Sequence, residues 1–208
     1  MSKYDAWGCE VQNPILIPGE QILWQGKPKK NAFILNKVLT MLPIAIIWLG
    51  FDSMIFSAFS SAGSMGGILL LFLIFHLMPV WIWLYNALTA AKKWENTMYY
   101  VTDRRIIIQT GFLDAELQSV YYKEIRDVNL RIGLIDKLLG VGDIYFDLGT
   151  YYHNGKTRVN RRSFLDIAQP HQVYTRVQKI ILDMQADIEF PNAYRPEENP
   201  GYNTRYRG

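Results

Sequence analysis

From residue 38 to residue 91 the chain runs for 54 positions with one formal charge, Asp52. A small uncharged segment, Ser60-Ser61-Ala62-Gly63-Ser64-Met65-Gly66, divides this stretch into residues 38–59 and 67–91. At about 1.5 Å per helical residue, each half is long enough to cross a hydrocarbon core of roughly 30 Å. A helical hairpin buried in a soluble core would show shorter apolar runs with polar stripes between them. The run Gly67-Ile68-Leu69-Leu70-Leu71-Phe72-Leu73-Ile74-Phe75 has no such stripe. The pattern predicts a transmembrane helical hairpin, with Pro43 and Pro79 kinking its arms as prolines in spans do.

Beyond Thr97 the texture changes to short apolar runs between turns. Met98 to Val101 and Arg105 to Thr110 read as strands around a tight Thr102-Asp103-Arg104 turn. Two more strands follow, over 116–122 and 125–131, and then a short helical or irregular insert over 132–139 closed by Gly140-Val141-Gly142. Ile144, Phe146 and Leu148 alternate with polar positions, Asn154-Gly155 supplies the positive φ angles of a hairpin turn, and Thr157 to Asp166 returns. Val173, Val177, Ile180, Ile181, Met184 and Ile188 then trace one helical face. About six strands and one amphipathic helix are economically packed as a curved antiparallel sheet or small barrel capped by that helix. The fold class is thus a membrane α-helical hairpin plus a mainly-β (α+β) domain. Its organisation is an N-terminal segment (1–37), the hairpin (38–91), the β domain (92–190) and a disordered tail (191–208).

Charge sets the orientation. Lys27, Lys29, Lys30 and Lys37 precede the first span, Lys92 and Lys93 follow the second, and the connecting turn has no basic residue. Both termini are therefore expected in the cytoplasm, with Trp94, Tyr99 and Tyr100 in an interfacial aromatic belt. The first apolar run follows a polar segment, so no cleaved signal peptide is expected. The net charge of +3 over 208 residues is too balanced for a nucleic-acid coat. A single cysteine, Cys9, excludes a disulfide framework or a multi-cysteine metal site within one chain.

The order of parts resembles the bacterial pleckstrin-homology family of membrane proteins, the YdbS-like group. The resemblance is carried by Glu20-Gln21-Ile22-Leu23-Trp24-Gln25-Gly26-Lys27-Pro28, the two apolar spans, Tyr100-Val101-Thr102-Asp103-Arg104-Arg105-Ile106 and Gly140-Val141-Gly142-Asp143-Ile144. It covers about residues 20–189. It implies a pleckstrin-homology-like fold at the inner face of the bacterial cell membrane and no defined activity.

The residues themselves carry no catalytic constellation. His76, His153 and His171 lie far apart in sequence without a second ligand at metal spacing. Gly140-Val141-Gly142-Asp143 lacks the lysine and third glycine of a phosphate loop, and Ser163 has no evident base. An enzyme is not expected, and neither a cofactor nor a metal is implied.

Two groups of residues carry the binding hypotheses. Arg104 and Arg105 at the first hairpin, with Lys156, Arg158 and Arg162 after the Asn154-Gly155 turn, are candidates for contact with anionic lipid or a protein partner. Against this, residues 92–190 hold fourteen basic and thirteen acidic side chains, so bulk attraction to anionic lipid is small. Thr102 and Asp103 can instead bond the turn backbone while Arg105 pairs with a nearby carboxylate. In the hairpin, Asp52 and His76 would lie roughly 21 and 22 Å from the cytoplasmic edge, on antiparallel spans. They are either an intramembrane polar pair or, if the first span starts nearer Phe33, Asp52 marks its outer end. The leading functional reading is a non-enzymatic, membrane-anchored interaction module with an unidentified protein or lipid partner. The alternative is an oligomeric small transport or stress-response component that self-associates through the hairpin.

Overall fold

The computed structural model describes residues 16–61, 67–112, 114 and 116–189. The predicted tail, Cys9 and most of the turn between the apolar arms lie outside them. The described residues divide into two compact units: one within 30–95, and a second assembled from 16–29 together with those of 96–189.

The helical unit begins with α1, Lys30–Ser61, eight residues earlier than the apolar pattern suggested, because residues 30–37 have the propensity to extend it. The stretch Lys30–Phe59 of this helix is long and apolar enough to cross a membrane, and only 17% of an apolar 18-residue window within it is buried. The second arm is broken, which corrects the expectation of two continuous spans. It consists of α2, Gly67–His76, and α3, Met78–Glu95. Pro79 has no N–H for the Phe75 carbonyl, so the helix stops and restarts with proline in its first turn, where the missing donor costs nothing. Two indoles occupy carbonyls next to the break: Trp81 Nε1 donates to Ile74 O at 3.1 Å and Trp48 Nε1 to His76 O at 2.7 Å. A third, Trp83 Nε1, donates to Val38 O at 3.0 Å. These contacts run α1 antiparallel to the broken arm.

The other unit contains seven strands among the described residues, in two antiparallel sheets. The first has the order β1 (Ile22–Gly26), β2 (Met98–Thr102), β3 (Arg105–Thr110) and β4 (Glu116–Tyr121). The second holds β5 (Asp127–Arg131), β6 (Val141–His153) and β7 (Lys156–Ala168). A six-residue helix, α4 (Leu134–Leu139), connects β5 to β6 and ends on Gly140 at φ 65°. Asn154 and Gly155 both take positive φ, 49° and 75°, at the β6–β7 turn, as a tight hairpin demands. The C-terminal helix α5 spans Pro170–Glu189.

The strand absent from the sequence reading is β1. It lies in the segment assigned to a separate N-terminal region, and it pairs with β2, so that Gly26 faces Tyr99 and Trp24 faces Val101. The helical unit is therefore an insertion in the turn of a β1–β2 hairpin.

One core joins both sheets and the helix. Trp24, Tyr99, Ile106, Phe146, Phe164 and Met184 are all buried in it, with Tyr99 stacked on Phe164 at 4.6 Å and Trp24 at 5.6 Å. Helix α5 is fixed by side chains as well as by its apolar face: Gln185 Nε2 donates to the carbonyls of Tyr122 and Ile125, and Tyr174 Oη to that of Val128. Opposite Asp143, β7 carries an extra residue, with Asp166 at φ 54°. This bulge leaves the Leu165 N–H without a ladder partner, and the Tyr99 hydroxyl accepts it at 3.1 Å. Burial pushes the Tyr99 pKa well above that of a free phenol, so the hydroxyl stays protonated. Tyr99→Phe should destabilise this unit by about 1 kcal/mol, read as a lower chemical-denaturation midpoint at unchanged m-value, because it leaves the part-buried Leu165 N–H without its acceptor.

Candidate functional site

Three places hold the residues singled out above. At the β2–β3 turn, Thr102 Oγ1 accepts from the N–H groups of Arg104 and Arg105 at 3.2 and 3.0 Å. Asp103 Oδ1 accepts from Gln21 N at 2.9 Å, and Asp103 N donates to Gln21 O. Arg105 is not available as a surface cation. Its Nε and Nη2 reach Glu20 Oε1 and Oε2 at 3.0 and 3.1 Å, and its Nη1 reaches Ser119 Oγ. Glu20 also accepts from Ile17 N and Thr102 Oγ1, both at 2.7 Å. Burial alone would raise the Glu20 carboxyl, but the hydrogen bonds from Arg105, Ile17 and Thr102 outweigh it and hold the pKa below the usual glutamate value. The turn thus fastens β1 to its neighbours. Arg104 alone of this pair is exposed.

The second place is the β6–β7 hairpin. Strand β5 pairs only with residues 143–147 of β6, so the hairpin beyond them is a two-stranded ribbon. On it Tyr151 lies opposite Arg158 and His153 opposite Lys156, and all four are exposed. Cross-strand neighbours share a face, so one side of the ribbon carries an aromatic ring and a row of basic groups. Arg162 does not join them. It lies opposite the buried Phe146, is half-buried, and bonds Asn160 Oδ1 and the Arg161 carbonyl. Strand alternation alone puts Arg158 and Arg162 on one side, but that side turns from solvent to core along β7.

The third place is in the helical unit. His76 Nδ1 and Asp52 Oδ1 are 2.6 Å apart. Asp52 is buried, and α1 continues nine residues past it, so it does not terminate the helix. The imidazole stacks on Trp48 and Phe72 at 5.3 and 5.2 Å, with Phe51 tilted at 6.2 Å. Asp52 Oδ2 is buried with no hydrogen-bond partner among the described residues. The pair thus sets an imidazole nitrogen against a carboxylate oxygen in largely aromatic surroundings.

The described residues contain no group of three or more His, Cys, Asp or Glu side chains able to hold a metal ion. The family model described as "Bacterial PH domain" matches residues 34–181, more than two thirds of the chain. The chain belongs to the bacterial PH domain family. No curated protein and no solved structure matches it. In this bacterial PH domain, the match takes in the inserted helices as well as the strands from β2 to β7, and stops within α5. The membership carries the expectation of an interaction module without catalysis.

Sequence reasoning did not find the Glu20 end of the turn network. Its signal was the only acidic side chain beside the Ile22-Leu23-Trp24 run, 85 positions from its partner.

Proposed function

We propose that this bacterial PH domain protein is a membrane-anchored, non-enzymatic interaction module, built on the order of parts of the YdbS-like group. In this reading α1 crosses the bacterial cell membrane and the broken α2–α3 arm returns through it, with both chain ends cytoplasmic. One observation carries the anchoring: between its polar ends, which hold Lys30, Lys92 and Glu95, the helical unit turns large apolar side chains outward, with Ile47 70% and Met54, Phe75 and Leu88 each 73% exposed. A soluble protein rarely leaves a contiguous surface of this kind in water. Lysines at both ends of the apolar stretch support the cytoplasmic placement of the β unit.

The β6–β7 ribbon supplies the partner-binding surface, since Tyr151, Lys156 and Arg158 combine ring contact with positive charge. It suits an acidic protein segment or an anionic headgroup. Changing Lys156 and Arg158 together to Glu should leave the circular dichroism and melting of the protein unchanged while removing its salt-sensitive partner from membrane pull-downs. Retention of the partner at full yield would refute the assignment. Alkaline extraction of membranes tests the anchoring, with the chain expected to stay in the pellet.

The Asp52–His76 pair favours a second reading, an oligomeric transport or stress-response component. Two arms enclose no path, so this requires self-association, and a strictly single-copy mass in detergent would sink it.

A further inference from the structure

The β unit carries an apolar patch that neither its core nor the ribbon uses. On α4, Leu134 and Leu138 are each 88% exposed, four residues apart and hence on one helical face. Ile135 and Ile132 extend the patch at 40% and 36% exposure. A six-residue helix that leaves two of its four apolar side chains almost wholly in water gains little for the fold from having leucine there. The connector needs only its turn residues. Asp136 Oδ2 caps the start by accepting from the Gly133 N–H at 3.0 Å, and Gly140 closes the end.

The patch has basic surroundings. Arg131 just before the patch and Lys137 within α4 are both exposed. Lys29 Nζ donates to the Leu139 carbonyl at 2.8 Å, and Lys29 is the residue immediately before α1 begins. The acidic group of the segment, Asp136, is the one turned back onto the Gly133 N–H. Aliphatic side chains flanked by lysine and arginine are the composition of segments that enter the headgroup region of a bilayer. The hydrogen bond to Lys29 ties this patch to the point where the chain enters its apolar helix.

We propose that α4 is a membrane-inserting wedge: Leu134 and Leu138 seat in the acyl-headgroup boundary of the bilayer, while Arg131 and Lys137 meet anionic headgroups. The β unit then touches the membrane at a second point besides the covalent connection to its helices, which limits its rotation. The proposal rests on the reading of α1 as a span.

Both are tested in full-length protein carrying Cys9→Ser, reconstituted in nanodiscs of phosphatidylcholine and phosphatidylglycerol. A fluorophore is placed at Leu138→Cys or, separately, at Ile47→Cys. At position 138, loss of most emission to a lipid spin-labelled near its headgroup, with little loss to aqueous iodide, supports the wedge. Quenching by iodide and not by the lipid overturns it. Shielding from both also overturns it, since protein then covers the patch. The Ile47 probe reads the span independently: lipid quenching there with iodide quenching at 138 removes the wedge and keeps the anchor. If the lipid fails to quench at 47, the spanning reading falls, and the wedge as stated falls with it. Position 138 is a surface site, so its substitution leaves the fold intact, and unchanged melting of the labelled protein verifies this.

Discussion

A chain reduced to residues 96–189 should fail to fold, although it contains every strand of the second sheet, six of the seven strands found among the described residues, and helix α5. It lacks β1, and with it Trp24 from the aromatic core and Glu20 from the turn network. Loss of a buried tryptophan alone costs about 3–5 kcal/mol, a large part of the 5–15 kcal/mol by which domains are typically stable. The edge of β2 would also be left unpaired. Joining residues 16–29 to 96–189 through a short Gly-Ser turn should restore folding, because Gly26 and Tyr99 are already register partners and paired strands lie only about 4.8 Å apart. The two chains are compared by thermal circular dichroism. A sharp, cooperative melt for the first and a broad, non-cooperative one for the second would contradict the assignment of β1 to this unit.

The second large effect is expected at Glu20. Glu20→Ala leaves the Arg105 guanidinium, the Thr102 hydroxyl and the Ile17 N–H without their shared acceptor. Removing one member of a buried ion pair costs about 3–5 kcal/mol, measurable as a fall in denaturation midpoint. Adding Arg105→Ala should recover part of that loss, since the stranded charge is then gone. The pH dependence has a definite sign. The folded Glu20 carboxyl titrates below an unfolded glutamate at about 4.3, so its contribution is complete above that pH and disappears as pH falls through the lower folded value. Asp143 acts oppositely. Burial raises its pKa despite hydrogen bonds from Asp166 N and Tyr145 Oη, so the fold gains stability as pH falls toward the unfolded aspartate value of about 3.9. Asp143→Asn should therefore flatten the mildly acidic part of the stability curve, and Glu20→Gln the part below it.

What could be read from the sequence follows the range of the interactions. The β2–β3 and β6–β7 hairpins, the Asn154-Gly155 turn and the apolar stripe of α5 are encoded over spans of a few residues, and alternation or helical spacing reveals them. Strand β1 has five residues and a partner more than seventy positions away, so nothing local marks it as part of a sheet. The same distance hides the Glu20–Arg105 pair, although the tight turn that Arg105 borders was evident from Thr102 and Asp103. Alternation correctly groups Arg158 with Arg162 but cannot tell that the ribbon ends between them. In the helical unit Pro79 announces a disturbance. Whether it bends or breaks the arm depends on Trp48 and Trp81, whose indoles make a full break inexpensive by taking up the freed carbonyls.

The interrupted β1–β2 hairpin also orders events during synthesis. Residues 22–26 leave the ribosome first, but the strand that completes them follows only after all of α1, α2 and α3. At about 5–20 residues per second, β1 waits roughly 4–14 s for β2. During that interval Trp24 has no core to enter, and the apolar helices have already been made. The sheet can close only once the helical insertion is entirely translated, so a mature β unit is itself a record that both arms have emerged.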